Sequence, residues 1–160
     1  MMKISKLLCK SFALLSLLLI AYSNTDDIQQ KVTEIDASQL KVRDPFIFYD
    51  ADTDYYYLHV NGTLKVKSYK SKDLLTWQEN GYSFLPSAGF WGKEDFWAPD
   101  FYKYEDKYYL FITLSAPGVK RGTSVLVSDR VTGTFQPLVN NAVTPQEWTC
   151  LDGSLYVDSE

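Results

Sequence analysis

Three aspartates open similar segments of the 160-residue chain, and their spacing is the first indication of chemistry. Asp44, Asp100 and Asp152 each precede a short apolar or aromatic run, and they lie 56 and then 52 residues apart. Carboxyl groups brought together from distant segments can differ in pKa and act as acid and base, as hydrolysis of a glycosidic bond commonly requires. Aspartate is also common at strand starts and turns, so the spacing alone leaves a structural role equally open.

The elements around these aspartates are short strands and turns that occur in the same order more than once. The predicted strands of the first unit are 46–49, 55–60, 63–69 and 78–84. Those of the second unit are 100–104, 108–112 and 123–127, and a third unit starts at 152–157. A period of about 40–55 residues with four strands per unit is typical of a β-propeller blade. We therefore predict an all-β propeller, with a self-contained β-sandwich as the alternative.

Five local motifs occur in order at this spacing, and together they resemble glycoside hydrolase family 43. They are Val-Arg-Asp-Pro-Phe-Ile at 42–47, Ser-Lys-Asp-Leu-Leu-Thr-Trp at 71–77, Phe-Trp-Ala-Pro-Asp at 96–100, Thr-Gly-Thr-Phe at 132–135 and Leu-Asp-Gly-Ser-Leu at 151–155. The resemblance runs from about Val42 to the last residue. It implies a five-bladed β-propeller, of which two blades and the start of a third are present. It also implies inverting hydrolysis of arabinose- and xylose-containing plant polysaccharides.

The resemblance implies roles for two of the aspartates. Asp44, in the Arg-Asp-Pro motif, matches the general base of the family, which activates water. Asp152, in the Leu-Asp-Gly motif, matches the aspartate that tunes the pKa of the general acid and orients it. The general acid is a glutamate that the repeat length places about 50 residues after Asp152, and Glu147 and Glu160 lie in the wrong blade segments to replace it. We expect a longer parent enzyme, and almost no activity from these 160 residues alone.

Aromatic side chains near the second aspartate suggest where a sugar binds, because the chain is 16% aromatic and flat rings stack on sugar faces. Trp97 and Asp100 match a family motif that lies near the sugar. Trp91, in the loop before that motif, is a further candidate for a sugar-stacking lip. Packing of this aromatic loop between blades is the alternative reading. We predict that Trp91, Trp97 and Asp100 bind substrate.

The N-terminal segment 1–23 is typical of a signal peptide. Lys3, Lys6 and Lys10 precede an apolar run at 12–20, which is shorter than the roughly 20 residues of a membrane span. We expect export to a secreted or periplasmic location. The predicted organisation is a signal peptide at 1–23, a polar tether at 24–39 and a partial propeller at 40–160.

The net charge and the family resemblance indicate which classes of molecule this chain binds. Without residues 1–23 the chain keeps 13 of its 16 basic residues and all 20 acidic ones, which argues against nucleic acid and fits a neutral polysaccharide or oligosaccharide. We expect a monomer without a cofactor. Some members of the family hold a central calcium, but its usual histidine lies beyond this segment. A carbohydrate-binding β-domain without catalysis remains the alternative function.

Overall fold

The structure is a computed structural model that describes residues 33–158, and these residues form an all-β arrangement. The strands are β1 (Glu34–Asp36), β2 (Phe46–Asp50), β3 (Tyr55–Gly62), β4 (Lys65–Ser71), β5 (Thr76–Phe84), β6 (Glu94–Tyr104), β7 (Lys107–Ala116), β8 (Val119–Ser128) and β9 (Gln136–Pro137). One 3-10 turn, Ala37–Gln39, follows β1. Within residues 33–158 no helix is long and apolar enough to cross a membrane. The predicted signal peptide lies outside the described residues.

The first sheet has the strand order β1-β5-β4-β3-β2, with every neighbouring pair antiparallel. Its β2–β3 hairpin pairs Phe46 with His59 and Asp50 with Tyr55. The Asp50 carboxylate accepts hydrogen bonds from the amide and hydroxyl of Thr53, at 3.1 and 2.7 Å, and so closes the turn. Asp54 completes the turn with a positive φ of 55°, a conformation that aspartate tolerates better than most residues.

The second sheet repeats this construction with the order β6-β7-β8-β9. Its first hairpin pairs Tyr104 with Lys107 across a two-residue turn, and Glu105 takes a positive φ of 53° there. Consecutive strands are spatial neighbours in both sheets, as in the blades of a propeller. The local alternation of apolar and polar residues fixes which side chains face each side of each sheet.

The two sheets pack face to face through one hydrophobic cluster. Its fully buried members come from both sheets and include Tyr57, Val66, Phe84, Phe101, Leu110, Ile112, Leu126 and Phe135. Full burial of one such side chain contributes about 1.5–3 kcal/mol, so this interface carries much of the stability. A buried hydrogen bond of 2.9 Å from the Tyr108 hydroxyl to Asp50 also joins the sheets.

His59 lies at the centre of the interface between the sheets and is fully buried. Its ring stacks on Phe101 with a centroid distance of 4.2 Å and an interplanar angle of 7°. Nδ1 lies 2.7 Å from Ser83 Oγ. Because burial penalises the charged imidazolium, the pKa of His59 falls to about 3. The side chain is therefore a neutral packing element at physiological pH.

The predicted polar tether at 24–39 needs correction at its C-terminal end. Residues Glu34–Asp36 form β1, which pairs antiparallel with β5 through Ile35 and Trp77. The amide of Ala37 then donates to Leu75 O over 2.8 Å. A three-residue strand carries too little periodicity to be recognised in the sequence, and it forms because β5 offers an unpaired edge. The folded part therefore begins before Leu40; the start of the predicted tether lies outside the described residues.

The fold prediction is confirmed. Each sheet is built on four consecutive antiparallel strands, with β1 as a fifth strand at the edge of the first sheet, and the sheets pack face to face as successive blades. After β9 the chain returns along β8, where the amide of Val143 donates to Thr123 O over 2.8 Å. It then reaches Asp152, but the strand predicted at 152–157 does not form, because these residues pair with no further strand among residues 33–158. The predicted β-sandwich alternative is not what forms.

Candidate active site

The first strands of the two blades, β2 and the second half of β6, lie side by side. The ring of Phe46, at the start of β2, lies 5.5 Å from the ring of Tyr102 on β6. Phe48 and Phe101 continue the contact, with their centroids 4.9 Å apart. First strands of propeller blades line the central channel, so residues just before them come together at one end of that channel.

Three residues at equivalent positions, two residues before β2, within β6 and at the start of the third unit, share an unusual backbone conformation. Asp44, Ala98 and Asp152 have positive φ values of 49°, 42° and 51°, although none is glycine. They lie 54 residues apart in each case, so the structural repeat is regular. Such strain is concentrated at functional sites, where the surrounding structure holds it. The two predicted catalytic aspartates therefore occupy one equivalent position in blades 1 and 3.

The sequence spacing predicts equivalent positions for Asp44, Asp100 and Asp152, and the structural repeat shows that this is wrong for Asp100. Asp100 is not the equivalent of Asp44 and Asp152, because it lies two residues after Ala98 in β6, at the position that Phe46 and Ser154 hold in the other units. Ala98 holds the equivalent position in blade 2. Aligning the units on their aspartates shifts the second unit by two residues. Aligning Asp44-Pro45 with Ala98-Pro99 gives the correct register.

Asp152 is held against the outer face of blade 2, the face turned away from blade 1. Its amide donates to Thr113 Oγ1 over 2.9 Å, and the amide of Cys150 donates to Arg121 O over 3.0 Å. Gly153 follows because a Cβ there would lie 2.5 Å from Thr123 Oγ1. The Leu-Asp-Gly motif thus has a steric reason for its glycine, and the Asp152 side chain remains exposed.

Asp100 lies close to Asp152 and is half-buried. Burial, the larger cause, and the negative charge of Asp152 raise the pKa of Asp100 above its usual value. The hydroxyl of Tyr102 donates to Asp100 Oδ2 over 3.2 Å and partly opposes the shift. The structure therefore brings Asp100 and Asp152 together, as predicted. Tyr102 is a site residue that sequence reasoning missed, although its i+2 position on the same strand face pointed to it.

Asp44, like Asp152, is exposed to solvent. Its Oδ2 lies 3.3 Å from Arg43 Nε, and both side chains are largely exposed to solvent. Exposed ion pairs of this kind contribute at most about 1 kcal/mol, so Arg43 does not fix the carboxylate firmly. Asp44 is joined to the other site residues through Phe46, two positions later, which contacts Tyr102.

The two candidate tryptophans lie on opposite faces of blade 2. Trp97 pairs with Thr113, whose side chain contacts Asp152, so Trp97 shares the face of the aspartates. Its side chain is 38% exposed. Trp91 instead donates from Nε1 to Ser124 Oγ over 2.8 Å, and Ser124 faces the cluster between the sheets. The structure therefore separates Trp91 from the predicted site, and its position agrees with the packing alternative.

Metal binding has no candidate position in this part of the chain. Among residues 33–158 no group of three or more His, Cys, Asp or Glu side chains is arranged to hold a metal ion. The chemistry available at the site is that of carboxyl groups, a tyrosine hydroxyl and an exposed indole ring.

Comparison with known proteins identifies this arrangement. The sequence profile described as glycosyl hydrolases family 43 matches residues 37–160. The chain belongs to this family. Every motif that carried the resemblance falls within the matched residues, so the family prediction is confirmed. No curated protein sequence gives a significant match.

Solved structures of family 43 proteins are similar in fold. An endo-arabinase from Bacteroides thetaiotaomicron is 60% identical with a TM-score of 0.76, over 81% of this chain and 45% of that one. An endo-1,4-beta-xylanase from the same organism is 26% identical with a TM-score of 0.62, over 81% and 42%. A thermostable family-43 glycoside hydrolase, 22% identical with a TM-score of 0.64 over 72% and 38%, shows the fold alone. The chain thus spans less than half the length of these proteins.

Proposed function

We propose that this chain supplies two blades and part of the active site of an inverting glycoside hydrolase acting on arabinose- or xylose-containing polysaccharides. The observation that carries the proposal is the shared left-handed conformation of Asp44 and Asp152, at equivalent positions of units 1 and 3. Hydrolysis of a glycosidic bond commonly requires carboxyl groups on both sides of that bond. Two carboxyl groups at equivalent positions of different blades suit this reaction.

In this mechanism Asp44 is the general base. Its exposed, flexible ion pair with Arg43 leaves the carboxylate free to accept a proton from the attacking water. Asp152 orients and tunes the general acid, and the neighbouring Asp100 acts with it in setting the local charge. In inverting enzymes base and acid are separated by about 6.5–9.5 Å, which leaves room for the water.

We further propose that the 160 residues alone turn over substrate barely or not at all. Among the described residues the carboxyl group that lies close to Asp152 is that of Asp100, whose partner Tyr102 holds it in blade 2. Without a general acid the leaving oxygen stays unprotonated, a loss of about 10²–10⁴-fold. Assay of the chain on nitrophenyl arabinofuranoside and xyloside tests this, and robust turnover overturns it.

Arabinan is the first substrate to test. The support is the 60% identity to a protein named an endo-arabinase, against 26% to one named an endo-1,4-beta-xylanase. We propose that the protein is exported, since residues 1–23 combine lysines, a short apolar run and small residues before position 24. Cell fractionation with N-terminal sequencing of the exported form tests this second point.

A chimera tests the function directly. Residues 37–158 replace the matching segment of the Bacteroides endo-arabinase, whose remaining length supplies the other blades. We expect the chimera to hydrolyse arabinan with inversion, observed by NMR of the first-formed anomer. A folded chimera without activity on arabinan or xylan contradicts the proposal.

Sugar binding without catalysis is the alternative, and the exposed Trp97 is the observation that favours it. In the chimera, Asp44→Ala separates the two functions. A hydrolase loses turnover and keeps oligosaccharide binding. If the chimera binds sugar, and its turnover is low and equal to that of its Asp44→Ala variant, the function is sugar binding without catalysis.

A further inference from the structure

The strand that carries Trp97 is irregular on both sides of that residue. Between the pairs Glu94–Ser115 and Trp97–Thr113, β6 has one residue more than β7, and the same happens again before the pair Asp100–Phe111. Asp95 and Ala98, which flank Trp97 in these two bulges, have positive φ values of 58° and 42°. Bulges re-aim side chains and occur next to active sites. Two of them around one tryptophan set the direction of its ring.

A cation and a carboxylate lie behind the ring that these bulges aim. The guanidinium carbon of Arg121 lies 4.5 Å from the centroid of the Trp97 ring, within the range of a cation–π contact. Arg121 Nε lies 2.8 Å from Asp95 Oδ2. Asp95 Oδ2 also accepts a hydrogen bond of 2.5 Å from Ser115 Oγ. The arginine thus forms an ion pair, without hydrogen-bond geometry at Nε, with a carboxylate that is itself hydrogen-bonded to β7.

Two cavities lie next to Asp95, Trp97 and Arg121, and they are lined by different members of this group. A cavity of about 380 Å³ is lined by Asp95 and Arg121, together with the β7–β8 turn. A larger cavity of about 620 Å³ is lined by Trp97 and Asp95, together with the β3–β4 turn at 61–64. Arg121 does not line the larger cavity and Trp97 does not line the smaller one. Trp97 therefore contacts the guanidinium and also borders the larger cavity, which the guanidinium does not line.

We infer that Arg121 and Asp95 are positioning residues that hold the Trp97 indole in place as a sugar-stacking surface, with the sugar ring entering from the larger cavity. A planar guanidinium suits this position because it stacks flat against an aromatic face, which an ammonium group does less well. The inference deepens the proposed function and rests on it for the identity of the ligand. The placement of the ring by Arg121 does not depend on that identity.

Arg121 also connects this surface to the catalytic aspartate. Its carbonyl oxygen accepts the hydrogen bond from the amide of Cys150, two residues before Asp152. One residue therefore fixes the stacking ring through its side chain and the Asp152 segment through its backbone. Side-chain substitutions at Arg121 leave the backbone contact available, so they test the ring alone.

The experiment uses the full 160-residue chain and has one arm that needs no sugar. The near-UV circular dichroism of Trp97 is obtained as the difference between the wild type and Trp97→Phe. We expect Arg121→Ala to lose most of this difference signal, Arg121→Lys to retain part of it, and Asp95→Asn to reduce it. An unchanged Trp97 signal in Arg121→Ala, with native far-UV spectrum, overturns the inference.

The second arm measures affinity for arabinotriose and xylotriose by calorimetry. We expect Arg121→Ala to weaken binding about fivefold, with a smaller loss in Arg121→Lys. The control Lys107→Ala removes a cation that pairs with Asp129, away from these residues, and keeps the wild-type affinity. Equal affinities of wild type and Arg121→Ala overturn the inference. A wild type that binds neither sugar counts against the proposed function, while the spectral arm still decides the role of Arg121.

Discussion

The amide of Asp152 donates a hydrogen bond of 2.9 Å to the hydroxyl of Thr113, on the central strand β7 of the preceding blade. The two residues are 39 positions apart, and the bond places the first residues of blade 3 on the face of blade 2 that carries Trp97 and Asp100. Each blade therefore builds part of the site of the next. The position of Asp152, the predicted catalytic carboxylate, is thus determined by packing against blade 2.

Gly153→Ala tests this packing. A Cβ at residue 153 would lie 2.5 Å from Thr123 Oγ1 and 2.7 Å from Thr123 Cγ2, so the segment must move. We expect a loss of about 1–3 kcal/mol in the free energy of unfolding, measured by urea denaturation, and weakened oligosaccharide hydrolysis in the chimera. The control Gly89→Ala meets nothing within 4 Å and stays within about 0.5 kcal/mol of wild type. A Gly153→Ala variant as stable as the control contradicts the close approach.

Asp44→Asn tests the general base. In the chimera we expect kcat on arabinan to fall by about 10²–10⁴-fold, because the amide cannot accept the proton of the attacking water. Binding of arabinotriose should be nearly unchanged, since Asp44 is exposed and contacts only Arg43. The matched control is Asp129→Asn, another exposed aspartate in an ion pair, with Lys107. Equal losses in both variants would show that the effect is one of charge alone.

The pKa of Asp100 should respond in opposite directions to its two neighbours. The charge of Asp152 raises the pKa of Asp100, and the hydrogen bond from Tyr102 lowers it. We expect Asp152→Asn to lower the Asp100 pKa and Tyr102→Phe to raise it, as observed by carbon-13 NMR titration of the side-chain carboxyl. Shifts of the same sign in both variants would contradict the geometry.

The same shift predicts a sign for the pH dependence of stability. Because the folded-state pKa of Asp100 is raised above 3.8, the native protein binds more protons than the unfolded chain just above that pH. The contribution of Asp100 to stability is therefore lost as pH rises from about 3.8 through the raised value. Asp100→Asn should remove this contribution. The melting temperature of the variant should therefore fall less than that of the wild type as pH rises through this range.

His59 predicts a second pH dependence, with the opposite sign. Its pKa is about 3 in the folded protein and 6.5 in its ordinary state, so the unfolded chain binds more protons between these values. Stability should fall as pH is lowered, by about 2 kcal/mol between neutral pH and pH 5. His59→Gln should show a flatter dependence in urea denaturation. The chain contains one histidine, so no other imidazole confuses the comparison. Parallel curves for variant and wild type would rule out a buried neutral imidazole.

The sequence by itself determined the repeated strand pattern, the propeller fold and the family. These features depend on local periodicity, turn residues and short motifs, which are all present within a few neighbouring residues. The catalytic roles of Asp44 and Asp152 stay predictions. The strand β1 was not predicted, because three residues are too few to show a periodic pattern. It forms only because β5 has a free edge to pair with.

Only the tertiary structure decided which residues around the aspartates share a face. Trp91 and Trp97 follow the same Phe-Trp pattern, yet one packs between the sheets and the other faces Asp152. One bulge in β6, between Glu94 and Trp97, lies between them, and a bulge shifts the alternation of side chains by one residue. Arg121 reaches Trp97 across β7, a contact set by the register of three strands. Register and bulges arise from pairing over long sequence distances, so no local pattern contains them.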